Sequence, residues 1–221
     1  MSFPFSIVGI DLDGTLVDTA GDLTAAVNHA LRLAARAPLT EAKVRPMIGL
    51  GARHMLEQGF TATGGIPGGD FERLYRQLLR FYEAHIAVHS RVFPGLIAAL
   101  DRLDALGVKT AVVTNKREDM ARKLLDELGL ADRMATIIGG DTLGPGNAKP
   151  SPAPIHAMIG RCGGGRAAFV GDSIYDVMAA NSAGVTSIAV SFGFLDRPAD
   201  ELGADHVIDH FDDLVPLLTR L

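Results

Sequence analysis

An apolar run that ends in two acids, Ile7-Val-Gly-Ile-Asp11-Leu-Asp13-Gly14-Thr15, constrains this chain more than any other stretch. Strand-forming residues followed at once by polar ones mark a buried parallel strand that delivers chemistry at its carboxyl end. Asp11 and Asp13 are two apart, so an extended backbone points both carboxylates the same way. Gly14 allows a sharp turn behind them. A calcium loop would need an acid or amide at its fifth position and glycine at its sixth, where Thr15 and Leu16 stand. The plainer alternative is an acidic strand exit that is merely solvated, and the rest of the chain decides between them.

After this strand the pattern is helical. Leu23, Ala26, Val27, Ala30, Leu31 and Ala34 recur at helical spacing, with Asp18 or Thr19 as N-cap. A second helical stretch opens at Thr40 and breaks at Gly49-Leu50-Gly51. A short helix through Met55 and Leu56 follows, then a Gly- and Thr-rich loop over 61–69 and an amphipathic helix over 70–88. Beyond that, strands over 108–113, 135–138, 167–170, 186–190 and 206–208 alternate with helices over 118–128, 152–161, 173–183 and 212–218. This alternation predicts an α/β fold, a doubly wound parallel sheet (a Rossmann-like core) with an inserted all-helical domain. The boundaries fall at 1–16 and 89–221 for the core and 17–88 for the insert.

The 221 residues, 48% hydrophobic and 21% charged, suffice for a substantial core and argue against disorder. A net charge of −5 with no basic block argues against nucleic acid as partner. No run is long and apolar enough for a membrane span, and the N-terminus carries no secretion signal. The one cysteine, Cys162, suits a reducing cytoplasm and reads as a small structural residue. His85 and His89 are four apart, but the third ligand and the base of a zinc helix are missing. The expectation is a cytoplasmic protein, monomer or homodimer.

Three strands end in polar residues: Asp11 and Asp13, Thr114-Asn115, and Gly171-Asp172. In a doubly wound sheet such ends meet at the topological switch point, where ligands bind. Lys149, in a Gly-rich connection, can reach the same crevice. Acids, a hydroxyl, an amide and a lysine together point to a metal-assisted reaction on a phosphate. Lys116 and Arg117 read as solvated residues at the start of the next helix.

These four segments resemble the signature motifs of the haloacid dehalogenase superfamily of phosphohydrolases: Asp11-Leu-Asp13-Gly-Thr-Leu-Val, Val-Val-Thr114-Asn115-Lys116, Lys149-Pro-Ser-Pro152 and Val-Gly171-Asp172-Ser173-Ile-Tyr-Asp176. The insert resembles that superfamily's helical cap. Within it the chain is most similar to phosphoglycolate phosphatases, through Gly139-Gly-Asp-Thr-Leu, Lys149-Pro-Ser-Pro-Ala-Pro154 and Arg45-x-x-Ile-Gly49-x-Gly51. Ile10 departs from the family's usual Phe before the first acid.

The resemblance implies a Mg²⁺-dependent phosphatase for a small phosphate monoester, 2-phosphoglycolate above others, working through an aspartyl-phosphate. Asp11 would be the nucleophile and Asp13 the general acid and base. Asp11, Asp172 and the Asp13 main-chain carbonyl would hold the metal. Thr114, Asn115 and Lys149 would bind the phosphoryl group, with Ser173 and Asp176 supporting from behind. Arg45, Gly49, Gly51 and Arg53 in the cap would read what lies beyond the phosphate. The hinges of such a cap would lie near 16–19 and 85–91. Asp13 stands against dehalogenation, for which the family replaces the second acid. A sugar-phosphate mutase or a pyrophosphate or nucleotide phosphatase would share the core. A non-catalytic binding module is the reading from another class, and it would have lost one of these residues.

Overall fold

The structure, a computed structural model, describes residues 3–195 and 197–221. The run that opens the chain forms β1 (Ile7–Ile10), buried at every position. A two-residue strand β2 (Val17–Asp18) leads into four helices: α1 (Ala20–Leu33), α2 (Glu41–Val44), α3 (Gly51–Ala62) and α4 (Phe71–Ala84). Then come β3 (Arg91–Val92), α5 (Leu96–Ala105), β4 (Lys109–Val113), α6 (Glu118–Glu127), β5 (Thr136–Ile138) and α7 (Ala153–Arg161). The chain finishes with β6 (Ala167–Gly171), α8 (Ile174–Ala183), β7 (Thr186–Val190), β8 (His206–Ile208) and α9 (Leu214–Arg220).

Six of these strands form one sheet in the order β5-β4-β1-β6-β7-β8, every pair parallel. The sequence runs outward from β1 to one edge, then returns to β6 on the other side of β1. The switch point therefore lies between β1 and β6, beside Asp11 and Asp172. Alternate residues of each strand face opposite layers. Val8, Ile10, Val112 and Val170 pack with Leu100 and Leu103 of α5, Leu124 of α6 and Leu218 of α9. Ile7, Val113 and Phe169 pack with Ile155 and Met158 of α7 and Ala179 of α8, and Cys162 is buried there too. The cluster on the first layer continues without a break into α1, α3 and α4, through Leu12, Leu16 and Leu23. Among the described residues no helix is long and apolar enough to cross a membrane.

Three features differ from the sequence expectation. The block over 17–88 is not all helix and loop, because β2 pairs antiparallel with β3 as a small ribbon at its root. Two residues per strand give no alternation to read. Helix α5 was not assigned; its start is set by Gly95, in the left-handed conformation, rather than by a polar cap. Helix α3 runs on to Ala62, into residues expected as loop, because Met55, Leu56 and Phe60 share a buried face.

The ribbon's return strand is anchored by a buried carboxylate. Asp22, in the first turn of α1, accepts bonds from the backbone N–H groups of His89 and Ser90 and from the Ser90 hydroxyl at 2.7 Å. Ser90 is wholly buried. Asp22→Ala should leave the His89 and Ser90 N–H groups without partners, each costing about 1–3 kcal/mol, while the Ser90 hydroxyl keeps the Ile86 carbonyl at 3.3 Å. Urea denaturation is expected to show a loss of roughly 2–4 kcal/mol; a loss under about 0.5 kcal/mol would mean water replaces the carboxylate.

Candidate active site

Asp11 follows β1 directly and Asp172 follows β6, so the parallel pairing of those strands sets the two carboxylates side by side. Asp11, Asp172 and Asp176 each present an oxygen within 4.8 Å of the others, and all three are buried. Gly14 lies so close to Asp172 that a Cβ on it would stand 2.2 Å from Oδ2, and its φ of +86° suits glycine alone. Asp172 accepts from the Thr15 hydroxyl at 3.1 Å and from the Phe194 N–H at 2.6 Å.

Asp176 has no oxygen to spare. Its Oδ1 is 2.5 Å from Lys149 Nζ, while Oδ2 accepts from the Ser173 N–H and hydroxyl in a capping box that starts α8. Lys149 Nζ also lies 2.7 Å from Asp11 Oδ1, as an ion-pair contact outside hydrogen-bond alignment. Burial works to lower the Lys149 pKa, but Asp11 and Asp176 more than offset it, so the ammonium is held above its ordinary value. Burial pushes Asp11 up to about 7, against the pull of Lys149 and with added repulsion from Asp176. Asp172 is raised too, by burial first and then by Asp11 and Asp176.

That pattern bears on a metal. Ionised, the three carboxylates against one ammonium leave two negative charges uncompensated in a buried space. Asp11 Oδ1 accepts no hydrogen bond. An oxygen-only donor set of this kind fits a hard divalent cation, with Asp11 and Asp172 as the carboxylates able to hold it.

In front of Asp11 lies a cavity of about 380 Å³, enclosed by the sheet ends and the helical block. Asp11, Asp13, Thr114, Asn115 and Lys149 line it from the sheet, and Gly49, Gly51 and Arg53 from the helices. Asp172 and Ser173 face a separate pocket of about 70 Å³. Asn115 uses its amide N–H groups on the Gly49 and Lys149 carbonyls, both at 3.0 Å, and so ties two loops together. Thr114 accepts from the Lys116 N–H, which leaves its own hydroxyl hydrogen for a ligand. Arg45 lies outside the large cavity, bonded to Asp18 at 2.5 Å and to Glu41, over the Phe194 ring. Arg53 lines it but is committed to both oxygens of Glu72.

Lys116 is not solvated, as expected from its place before a helix. It is buried, with Nζ 2.8 Å from both oxygens of Asp13. Thr19 donates to the same carboxylate at 2.7 Å. A signal was present: Thr114 and Lys116 have the two-residue spacing that pairs Asp11 with Asp13.

The fold and the site together define an α/β enzyme that gathers acids, a lysine and a hydroxyl at the switch point of its sheet. The chain belongs to the haloacid dehalogenase-like hydrolase family, whose family model matches residues 9–190. It is 42% identical to a phosphoglycolate phosphatase of Agrobacterium fabrum over 98% of this chain and 94% of that one. It is 40% identical to a phosphoglycolate phosphatase of Caulobacter vibrioides, over 94% and 88%. The crystal structure of a predicted phosphoglycolate phosphatase from Haemophilus somnus superposes with a TM-score of 0.91, at 30% identity, over 97% and 98%.

The Asp11 carboxyl predicts a pH-dependent stability. Raised from 3.8 to about 7 by folding, it adds stability that is full below pH 3.8 and lost as pH rises through 7. With a chelator present, Asp11→Asn should therefore be more stable than wild type at pH 8, and the difference should close toward pH 4. Urea midpoints across that range check it, and a constant difference would assign the effect elsewhere. Adding a divalent cation should reverse the order at pH 8, because only wild type keeps both carboxylates.

Proposed function

We propose that this protein is a Mg²⁺-dependent phosphatase for 2-phosphoglycolate that transfers the phosphoryl group to Asp11 and then to water. The observation that carries the reading is the pairing of Asp11 with Asp13 at the wall of one enclosed cavity, with Lys149 and Thr114 beside them. The relatives named as phosphoglycolate phosphatases support the substrate.

Phosphate monoesters resist water so strongly that rate enhancements of up to ~10²¹ are needed for them. Division into two steps through a covalent aspartyl ester lowers each barrier. Asp11 attacks phosphorus with a carboxylate oxygen, while Lys149 lies 2.7 Å from its Oδ1. Asp13 gives a proton to the leaving alkoxide and later takes one from the attacking water. The Thr114 hydroxyl and the Lys149 ammonium meet the charge on the transferring oxygens. Asp176, locked by its capping box, holds Lys149 in place. Asp11, Asp172 and the Asp13 main-chain carbonyl would hold Mg²⁺, which would supply the positive charge that offsets the repulsion between one anion and another.

Residues 17–88 act as a cap over a core of 1–16 and 89–221, of which the first two residues lie outside those described. The β2–β3 ribbon stands at their junction, with Val17–Asp18 on the cap side and Arg91–Val92 on the core side. Water must stay out while the ester forms and enter to cleave it, so an opening cap suits the chemistry. The working compartment is the cytoplasm.

A panel of small phosphate esters, with and without Mg²⁺, tests the reading. Phosphoglycolate should exceed p-nitrophenyl phosphate in kcat/KM by about tenfold or more, and chelation should abolish both. Equal rates would remove phosphoglycolate as the substrate. Asp11→Asn should abolish turnover, since an amide cannot attack phosphorus. Asp13→Asn should lower kcat by about 10²–10⁴ while leaving metal affinity close to wild type. Collapse of metal affinity in Asp13→Asn would instead make that side chain a ligand.

A further inference from the structure

Phosphoglycolate carries a second anion, and a site that reads it needs a cation free to face it. The cavity's positive groups can be sorted. Lys149 is engaged by Asp11 and Asp176, Arg53 by Glu72, and Arg117 by Asp119 at 2.6 Å. Lys116 differs from these. An ammonium has three N–H donors, and Asp13 takes two of them. Tyr82 stands beside the same ammonium, its ring centroid 4.7 Å from Nζ and its hydroxyl within hydrogen-bond reach of it.

Tyr82, on α4, provides a second observation. It is 3% exposed and lines the cavity; its oxygen faces the Lys116 ammonium, while its hydroxyl hydrogen has no acceptor. A buried phenol without an acceptor costs about 1–3 kcal/mol unless something in the cavity accepts from it.

Covalent geometry connects the two. The carboxylate carbon of phosphoglycolate is two bonds from the ester oxygen, so its oxygens fall within about 4 Å of that atom. Asp13 must touch the ester oxygen to protonate it. A group bonded to both oxygens of Asp13 is therefore next to the substrate's carboxylate.

We propose that Lys116 and Tyr82 form a carboxylate subsite that binds the acid end of a phosphorylated 2-hydroxy acid. The assignment rests on the phosphoglycolate reading and names the residues that carry its selectivity. It moves that role from Arg45, which the Asp18 ion pair holds outside the cavity. Lys116 supplies the charge from the core, and Tyr82 supplies an O–H donor from the helical block.

Ethyl phosphate is the comparison substrate, because it has a carbon chain of the same length and no carboxylate. The readout is the ratio of kcat/KM for phosphoglycolate to that for ethyl phosphate. In Lys116→Met the ratio should fall by about tenfold to a hundredfold, as expected for a lost hydrogen bond to a charged group, with the loss mainly in KM for phosphoglycolate. In Tyr82→Phe, which keeps the ring and the packing, it should fall by about threefold to tenfold. That variant decides the matter if Lys116→Met does not fold. A ratio unchanged in the folded variants overturns the subsite, even where both substrates slow together, since that pattern marks support of Asp13 alone. A wild-type ratio near one would overturn the phosphoglycolate reading itself, and the subsite with it.

Discussion

Three carboxylates and one lysine, all buried within a few ångströms, are the constraint on which the rest of this structure depends. Charges taken out of water are tolerated only when paired and hydrogen-bonded. The surroundings supply what pairing they can: Thr15 and the Phe194 N–H on Asp172, the capping box on Asp176, and Lys149 between Asp11 and Asp176. Asp11 Oδ1 still accepts no hydrogen bond. With all three carboxylates ionised, two negative charges would have no cation beside them, a deficit that fits a divalent cation. Gly14 and Gly193 belong to the same constraint, because a Cβ on either would stand 2.2 Å from the Asp172 side chain.

Much of this was legible in the sequence because it depends on local pattern. The strand before Asp11 is an apolar run of the kind a central parallel strand requires. Asp172 and Asp176 are four apart at a helix start, with Ser173 as cap, so a link from Asp176 to Lys149 could be anticipated. What was not legible depends on tertiary context. The ribbon of β2 and β3 joins residues more than seventy positions apart through two residues on each side. Lys116 stands at a helix start, where lysine is ordinarily solvated, and only the arrival of Asp13 and Tyr82 makes it a buried cation. Arg45 drew attention as a cation in a glycine-rich stretch, but nothing in the stretch shows that Asp18 captures it.

The two cations illustrate how burial decides what a charge can do. The Arg45–Asp18 pair is about one-third exposed on each side, where water screens the attraction and the pair contributes little to stability. Its value is positional, since it joins the ribbon to the segment before Gly49. The Lys116–Asp13 pair is nearly dry. There the attraction to Asp13 outweighs the burial that would lower the lysine's pKa, and the ammonium is held above its ordinary value.

Asn115 shows why the helical block and the sheet cannot be treated as independent. Its two amide hydrogens go to Gly49, at the tip of the helical block, and to Lys149, the lysine of the acid cluster. Gly49 has a φ of +123°, and no atom lies within 4 Å of where a Cβ would be, so backbone freedom and not crowding calls for glycine there. Its carbonyl can therefore reach Asn115 without a side chain in the cavity mouth. Movement of the helical block away from the sheet would break the bond to Gly49 and leave one amide hydrogen of Asn115 unpaired beside the Lys149 backbone. The seating of the helical block on the sheet and the position of the Lys149 backbone thus share a single side chain.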